Sequence, residues 1–175
     1  MLTIALARHA DLTGRSAPNL CAHRKGCAVR VGLDHIAITV SETERSLDFY
    51  CGLLGLEQVE QHQLAGEDID RANGIKAGRA QSTRLAAPGT PGILIDLLEY
   101  FELPKDSSVA QLGRVGSSHF CLSVPALDAF SEELREKGVE LISEPVNFQL
   151  EHGSVSVLFL RDPDGNFVEL VEEHR

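Results

Sequence analysis

The sequence predicts an α+β fold built from two copies of a βαβββ module, and three observations predict it. A strand-like segment carrying a histidine opens each half, at His35 and at His119. A helical pattern that stops at a glycine follows each of these segments. A strand carrying an acidic residue closes each half, at Asp96 and at Glu169. The same order of elements appearing twice indicates an internal repeat.

Composition narrows the class of protein before any motif is considered. The chain has 175 residues, of which 43% are hydrophobic and 24% charged, values typical of one globular domain. Its net charge of −10 disfavours nucleic acid as a partner, because an acidic surface repels phosphates. No apolar run reaches the roughly 20 residues that span a bilayer, so no membrane partner is expected. The four cysteines form no CxxC motif or disulfide framework, which favours a reducing, cytoplasmic location.

The first 32 residues differ from the rest of the chain. They hold five basic residues and one acidic residue, and they show no hydrophobic periodicity. Cys21 and Cys27 lie in this segment, at spacings that fit no tetrahedral metal site. We therefore predict a basic, non-catalytic N-terminal extension over 1–32 and a single domain over 33–173.

The first module, 33–101, is predicted as follows. Residues 33–40 alternate as a strand does. Ser41 and Glu44 form a capping box, in which a hydroxyl and a carboxylate satisfy free N–H groups at a helix start. Gly55 is placed to end this helix, since glycine readily adopts the left-handed conformation. About three strands then follow, the last over 92–100.

The second module, 117–173, repeats this arrangement. Its first strand covers 118–124, its helix ends at Gly138, and its last strand covers 166–172. Residues 102–116, rich in glycine, proline and serine, form a linker between the modules. One substantial helix per module disfavours a parallel doubly wound sheet and favours antiparallel or mixed sheets.

Two histidines and two carboxylates at matching positions of the repeat are the candidate site residues. Asp96 and Glu169 lie in segments that are apolar on both sides, where an unpartnered carboxylate would be costly. Together with His35 and His119 they form a plausible four-ligand set for one divalent metal ion. Mixed nitrogen and oxygen donors suit zinc, nickel, cobalt, manganese or iron(II), and the residues do not choose among them.

Five segments resemble the vicinal oxygen chelate superfamily, which includes glyoxalase I, methylmalonyl-CoA epimerase, extradiol dioxygenases and bleomycin-binding proteins. The segments are LDHIAI (33–38), FYCGLLGL (49–56), IDLLEY (95–100), HFCLSV (119–124) and DPDGNFVEL (162–170). Taken together, the five segments cover about 33–173. The last segment, a turn that leads into the strand of Glu169, is the most specific of the five. The nearest branches are the epimerase-like and glyoxalase I-like members.

The resemblance implies that eight strands curl around a metal-centred cleft. It assigns His35, Asp96, His119 and Glu169 as the metal ligands. Metal-dependent isomerases of this superfamily usually carry glutamate or glutamine at position 96, and the aspartate here is one methylene shorter. Glu99 is the alternative ligand, although strand alternation places it on the opposite face from Asp96.

The resemblance also implies a metal-dependent isomerase or lyase of the glyoxalase/epimerase type. The metal would polarise a substrate carbonyl, and Glu169 would shift the alpha proton through an enolate or enediolate. The substrate would be a small molecule such as an anionic thioester or hemithioacetal, and a homodimer is compatible with the resemblance. The epimerase branch uses a second base, for which Glu60 and Glu67 stay open. Arginines that could meet an anionic group are Arg79, Arg84 and Arg161.

Two other functions stay open at this point. An iron(II)-dependent extradiol-type dioxygenase would use His35, His119 and Glu169, with His62 or His152 as a pocket histidine. A metal-free binding or resistance protein would only enclose its ligand, although retention of both histidines argues against it. Three further expectations concern structure: the turn 162–165 shapes the chain rather than binding metal, and Cys51 and Cys121 pack in the core.

Overall fold

A computed structural model describes residues 32–90, 92–105 and 111–174 of the chain. The predicted extension over 1–32, except Gly32, lies outside the described residues, as do Cys21 and Cys27. The first module contains β1 (His35–Val40), α1 (Thr43–Leu47), a π-helical segment (Asp48–Leu53), β2 (Glu57–Ala65), α2 (Glu67–Asn73), β3 (Arg79–Ala86) and β4 (Leu94–Tyr100). The second contains β5 (His119–Ser123), α3 (Leu127–Glu136), β6 (Val146–Leu150), β7 (Gly153–Arg161) and β8 (Phe167–His174).

Each module forms its own four-stranded mixed sheet. The strand order is β1-β4-β3-β2 in one sheet and β5-β8-β7-β6 in the other. The first and last strands of each module pair in parallel, and the other neighbours are antiparallel. This arrangement confirms the predicted α+β class and the two βαβββ modules. The eight strands form two sheets rather than a closed barrel.

Helix α1 packs on one face of the first sheet and α3 on one face of the second, where the apolar residues of the alternating strands meet them. On this face β4 contributes Ile95 and Leu97, and β8 contributes Val168 and Leu170, to a core that includes residues of both modules. Burial of such side chains stabilises the fold by roughly 1.5–3 kcal/mol each. Ile69 of α2 packs instead against Leu98 and Tyr100 on the other face of the first sheet. The candidate site residues lie on the other face of each sheet, beside the α2 cluster in the first module.

The start of α1 differs from the sequence prediction. The helix begins at Thr43, and in the described part of the chain its N-cap residue, Glu42, makes no side-chain cap hydrogen bond. The Ser41 hydroxyl instead accepts a hydrogen bond from Arg45. The cap comes from Glu99 on β4, whose Oε2 accepts from the backbone N–H of Thr43 at 2.9 Å and from its hydroxyl at 2.8 Å. The predicted capping box is therefore wrong, because a buried carboxylate from a distant strand occupies the helix N-terminus.

Both predicted helix stops are confirmed. Gly55 and Gly138 have positive φ angles of 75° and 79°, a conformation that a side chain would strain. The seven-residue helix α2 was not predicted. Its N-terminal residues are acidic, and its single buried residue, Ile69, gives too little apolar periodicity to be recognised in the sequence.

The turn between β7 and β8 holds the two modules together. Asp162 is buried and accepts a 2.8 Å hydrogen bond from the Tyr50 hydroxyl, 112 residues away. Its other oxygen accepts the backbone N–H groups of Asp164 and Asn166. Gly165 takes a positive φ of 86° at the corner. These contacts give the turn the structural role that was expected of it.

Candidate functional site

The first-module candidates, His35 and Asp96, lie on the same face of their sheet. Ala37 is the register partner of Asp96 across the parallel β1–β4 pair, and His35 is two residues from Ala37 along β1. Asp96 is 6% exposed, and its Oδ1 accepts a 2.7 Å hydrogen bond from the Ser82 hydroxyl. The sequence predicts that this buried carboxylate needs a partner. In the structure that partner is Ser82 on β3, the neighbouring strand.

His35 is held from outside the strand by the residue that precedes it. Its Nδ1 lies 2.7 Å from Asp34 Oδ2. The hydrogen bond from His35 holds the pKa of Asp34 below its usual value, and the positive charge of Arg84 acts in the same direction. An ionised carboxylate can only accept hydrogen bonds, so Nδ1 is the donor in this contact.

The second-module candidates are in direct contact. His119 Nε2 lies 3.1 Å from Glu169 Oε2, and the Glu169 side chain is 20% exposed. The His119 ring packs edge-on against Phe159, with ring centroids 5.1 Å apart. Phe159 is the register partner of Glu169 across the β7–β8 pair, so the aromatic ring and the carboxylate share a face of the sheet.

Cys121 lies beside Glu169 and is exposed, so the prediction that it packs in the core is wrong. Partial burial of its thiol, followed by the negative charge and hydrogen bonding of Glu169, raises the pKa of Cys121 to about 12. Cys121 points to the polar face because it is two residues from His119 along β5. Cys51, in contrast, packs against the core as predicted.

Each sheet therefore carries one pair of candidate ligands on a single face. Among the described residues, no group of three or more His, Cys, Asp and Glu side chains converges on a point that could hold a metal ion. The chemistry of the donor set nevertheless fits a divalent cation. It comprises a histidine held through its Nδ1 and a histidine–carboxylate pair already in contact.

Glu99, the alternative ligand, lies on the opposite face of β4 from Asp96, as the alternation predicted. Lys105 Nζ lies 2.8 Å from its Oε1, while its Oε2 caps α1. Burial opposes ionisation, but the hydrogen bonds from Lys105 and Thr43 outweigh it and lower the pKa of Glu99. Both carboxylate oxygens of Glu99 therefore make contacts that stabilise the fold.

The two open base candidates occupy different places. Glu60 is the register partner of Arg84, and Arg84 is the partner of Asp96, so all three share one face of the first sheet. Glu60 Oε2 lies 3.4 Å from Arg84 Nη1 and 3.2 Å from His62 Nε2. Glu67 instead opens α2 and is exposed. Only Glu60 lies on the face that carries Asp96.

The three candidate arginines lie in different parts of the structure and make different contacts. Arg79 pairs with Glu102 and lies over the Phe101 ring. Arg161 lies over Phe167 and donates to the Gly165 carbonyl. Arg84 alone of the three lies beside Asp96, and its buried Nε has no hydrogen-bond partner in the described ranges. His62 and His152 are both exposed.

The open face of the second sheet is largely apolar around the His119–Glu169 pair. Val146 and Phe148 on β6 are 45% and 39% exposed. They are the register partners of Val157 and Val155 on β7, so they share the face of Phe159 and Glu169. This surface can contact an apolar part of a small ligand, whereas the first sheet presents charged groups. An open groove elsewhere, lined by residues of the β7–β8 turn, contains none of the candidate ligands.

The fold points to a class of protein, and comparison with known proteins agrees with it. The family described as the Glyoxalase/Bleomycin resistance protein/Dioxygenase superfamily matches residues 32–170, and the chain belongs to it. No helix in the described portion is long and apolar enough to cross a membrane.

One relative and two solved structures are among the proteins to which the chain is similar. A lactoylglutathione lyase of Pseudomonas aeruginosa is 26% identical over 163 residues, which cover 89% of this chain and 90% of that protein. The structure of a glyoxalase family protein from Bacillus cereus superposes with a TM-score of 0.70 at 23% identity, covering 88% of this chain and all of the other. An antibiotic-binding protein from Streptomyces sp. superposes with a TM-score of 0.53 at 21% identity, covering 85% and 99%. The last two likenesses show the fold alone.

Proposed function

We propose that this protein is a divalent-metal-dependent lyase or isomerase of the glyoxalase type, acting on a small anionic thioester or hemithioacetal. The observation that carries the proposal is the contact between His119 Nε2 and Glu169 Oε2 at 3.1 Å on an open sheet face. Similarity to a lactoylglutathione lyase over 90% of that enzyme's length supports the reaction class.

The residues that would hold the metal are His35, Asp96, His119 and Glu169. When bound, the ion would act as a Lewis acid that polarises the substrate carbonyl and stabilises the charge developing on its oxygen. Asp96 would have to exchange its hydrogen bond from Ser82 for the ion, or contact it through water, because its side chain is short and buried.

Glu169 is the proposed base. Its carboxylate is partly exposed and lies among apolar side chains, where a substrate would displace water from it. It would remove the proton alpha to the carbonyl and return it to the neighbouring carbon, which is an isomerisation. Arg84 is the proposed contact for the anionic end of the substrate, because of the three candidate arginines it alone lies beside Asp96.

We also propose that the protein is a homodimer in which each site takes one pair of ligands from each copy. Within the described part of one chain, the His35–Asp96 and His119–Glu169 pairs do not converge into a group of three donors. The strands that carry the two histidines, β1 and β5, lie at the edges of separate sheets. A second copy could bring a first-module pair against a second-module pair, with twofold symmetry producing two equal sites.

The reaction is tested by metal analysis of protein purified without chelator, followed by assays with hemithioacetals, thioesters and catechols. About one metal ion per chain and isomerisation of a hemithioacetal or thioester would support the proposal. Oxygen consumption with a catechol would instead identify a dioxygenase. Tight ligand binding with no turnover and no stabilisation by metal would identify a binding protein.

Shared sites are tested by mixing two inactive variants, His35→Ala and His119→Ala. If each site spans two copies, half of the randomly mixed dimers carry one intact site, and about a quarter of wild-type activity returns. The control pair, His35→Ala with Asp96→Ala, damages the same module and should recover nothing. No recovery from the first pair, with subunit exchange shown by differently tagged chains, would place the site within one chain.

A further inference from the structure

Asp34 is a charged residue at the edge of the candidate site with no role in the proposed reaction. It immediately precedes β1, and its side chain is 79% exposed. A carboxylate this exposed gains little by pairing with a neighbouring side chain for stability alone. Its contact with His35 Nδ1, at 2.7 Å, is nevertheless short and directional.

We propose that Asp34 is a positioning residue that fixes the tautomer and orientation of the His35 ring for metal binding. This inference rests on the proposed function, since it concerns one of its four ligands. The Asp34 carboxylate accepts a hydrogen bond from Nδ1–H of His35, which leaves the Nε2 lone pair available to a metal ion. Metal-binding histidines commonly hold their second nitrogen in this way, and the contact raises the basicity of the ligating nitrogen.

The two histidines of the repeat are held by different means. In the second module the residue before His119 is Ser118, which has no carboxylate, and the ring is instead packed against Phe159. In the first module a carboxylate contacts Nδ1 of the histidine, whereas in the second Glu169 contacts Nε2 and Phe159 packs against the ring. Ser118→Ala is therefore a matched control, at the equivalent position of the other module, for the change Asp34→Ala.

The first measurement is made on the metal-free protein, by NMR of the histidine ring nitrogens. In the wild type, His35 should carry its proton on Nδ1. In Asp34→Ala, the ring should shift toward the Nε2-protonated form, because the acceptor at Nδ1 is lost. Asp34→Asn should retain the wild-type tautomer, because the amide oxygen can still accept. An unchanged His35 spectrum in Asp34→Ala would overturn the positioning role.

The second measurement is the affinity for Zn²⁺ alone, by competition with a chelator. Asp34→Ala should weaken Zn²⁺ binding by about 10- to 100-fold, and Asp34→Asn by less. Ser118→Ala should bind as the wild type does. Equal affinity of the wild type and Asp34→Ala would overturn the inference and leave the proposed metal site intact. A wild-type protein that binds no Zn²⁺ would instead refute the proposed function, while the NMR result would still decide whether Asp34 orients His35.

Discussion

His119 Nε2 and Glu169 Oε2, which belong to the first and last strands of the second module, lie 3.1 Å apart. The parallel pairing of β5 with β8 places both side chains on one face, because each is in register with a residue of the other strand. In the first module the same pairing puts His35 and Asp96 on one face, but Asp96 bonds to Ser82. The two modules therefore share strand order and pairing but differ in their side-chain contacts.

The His119 ligand role is tested by His119→Ala. We expect this variant to lose stoichiometric metal binding while its circular dichroism spectrum stays unchanged, because the side chain is 41% exposed and contributes little to the core. His152→Ala, at an exposed histidine outside the site, should retain the metal. Unchanged metal content in His119→Ala would refute the ligand assignment.

The base role of Glu169 is tested by Glu169→Gln. The amide is close in shape to the carboxylate but cannot accept the substrate proton, so we expect activity to fall by about 10²- to 10⁴-fold. Metal content should fall far less, because the amide oxygen remains a possible donor. Glu151→Gln, at an exposed glutamate, is the control. Equal losses of metal and activity would show that Glu169 acts only as a metal ligand and not as the base.

The link between the modules is tested by Tyr50→Phe. Burial and the Asp162 charge raise the pKa of Tyr50, so its hydroxyl stays protonated and donates. Removing it leaves a buried carboxylate with one donor fewer, and we expect the free energy of unfolding to fall by about 1–3 kcal/mol. Tyr100→Phe, whose hydroxyl makes only an exposed contact with Asn73, should cost much less in the same urea titration. Equal losses would contradict the structural importance of the link.

The Glu99 cap predicts how stability depends on pH. The pKa of Glu99 is lower in the folded chain than its ordinary value of 4.5. The stabilisation it provides is therefore fully present above that pH and is lost as the pH falls through the folded-state pKa.

Between about pH 5 and pH 3, Glu99→Gln should lose less stability than the wild type does, as measured by thermal unfolding. Glu133→Gln, at an exposed glutamate that pairs with Lys137, is the matched control and should keep the wild-type dependence. A wild-type dependence in Glu99→Gln would show that other carboxylates dominate acid unfolding.

The sequence by itself determined the repeat, the α+β class and the place of each candidate residue in it. These features are local: alternation along β1, β4, β5 and β8 assigns faces, and Gly55 and Gly138 end helices whatever surrounds them. Alternation also correctly separated Asp96 from Glu99, since neighbouring side chains of a strand point to opposite faces.

Only the tertiary structure decided which partner each polar group has. The cap of α1 comes from Glu99 rather than from Ser41, because the parallel β1–β4 pair brings a carboxylate 56 residues away to the helix N-terminus. Asp96 bonds to Ser82 for the same reason, since β3 and β4 are neighbours in space. A hydrogen bond depends on distances between atoms, and for residues far apart in sequence those distances are set by the packing of the whole chain.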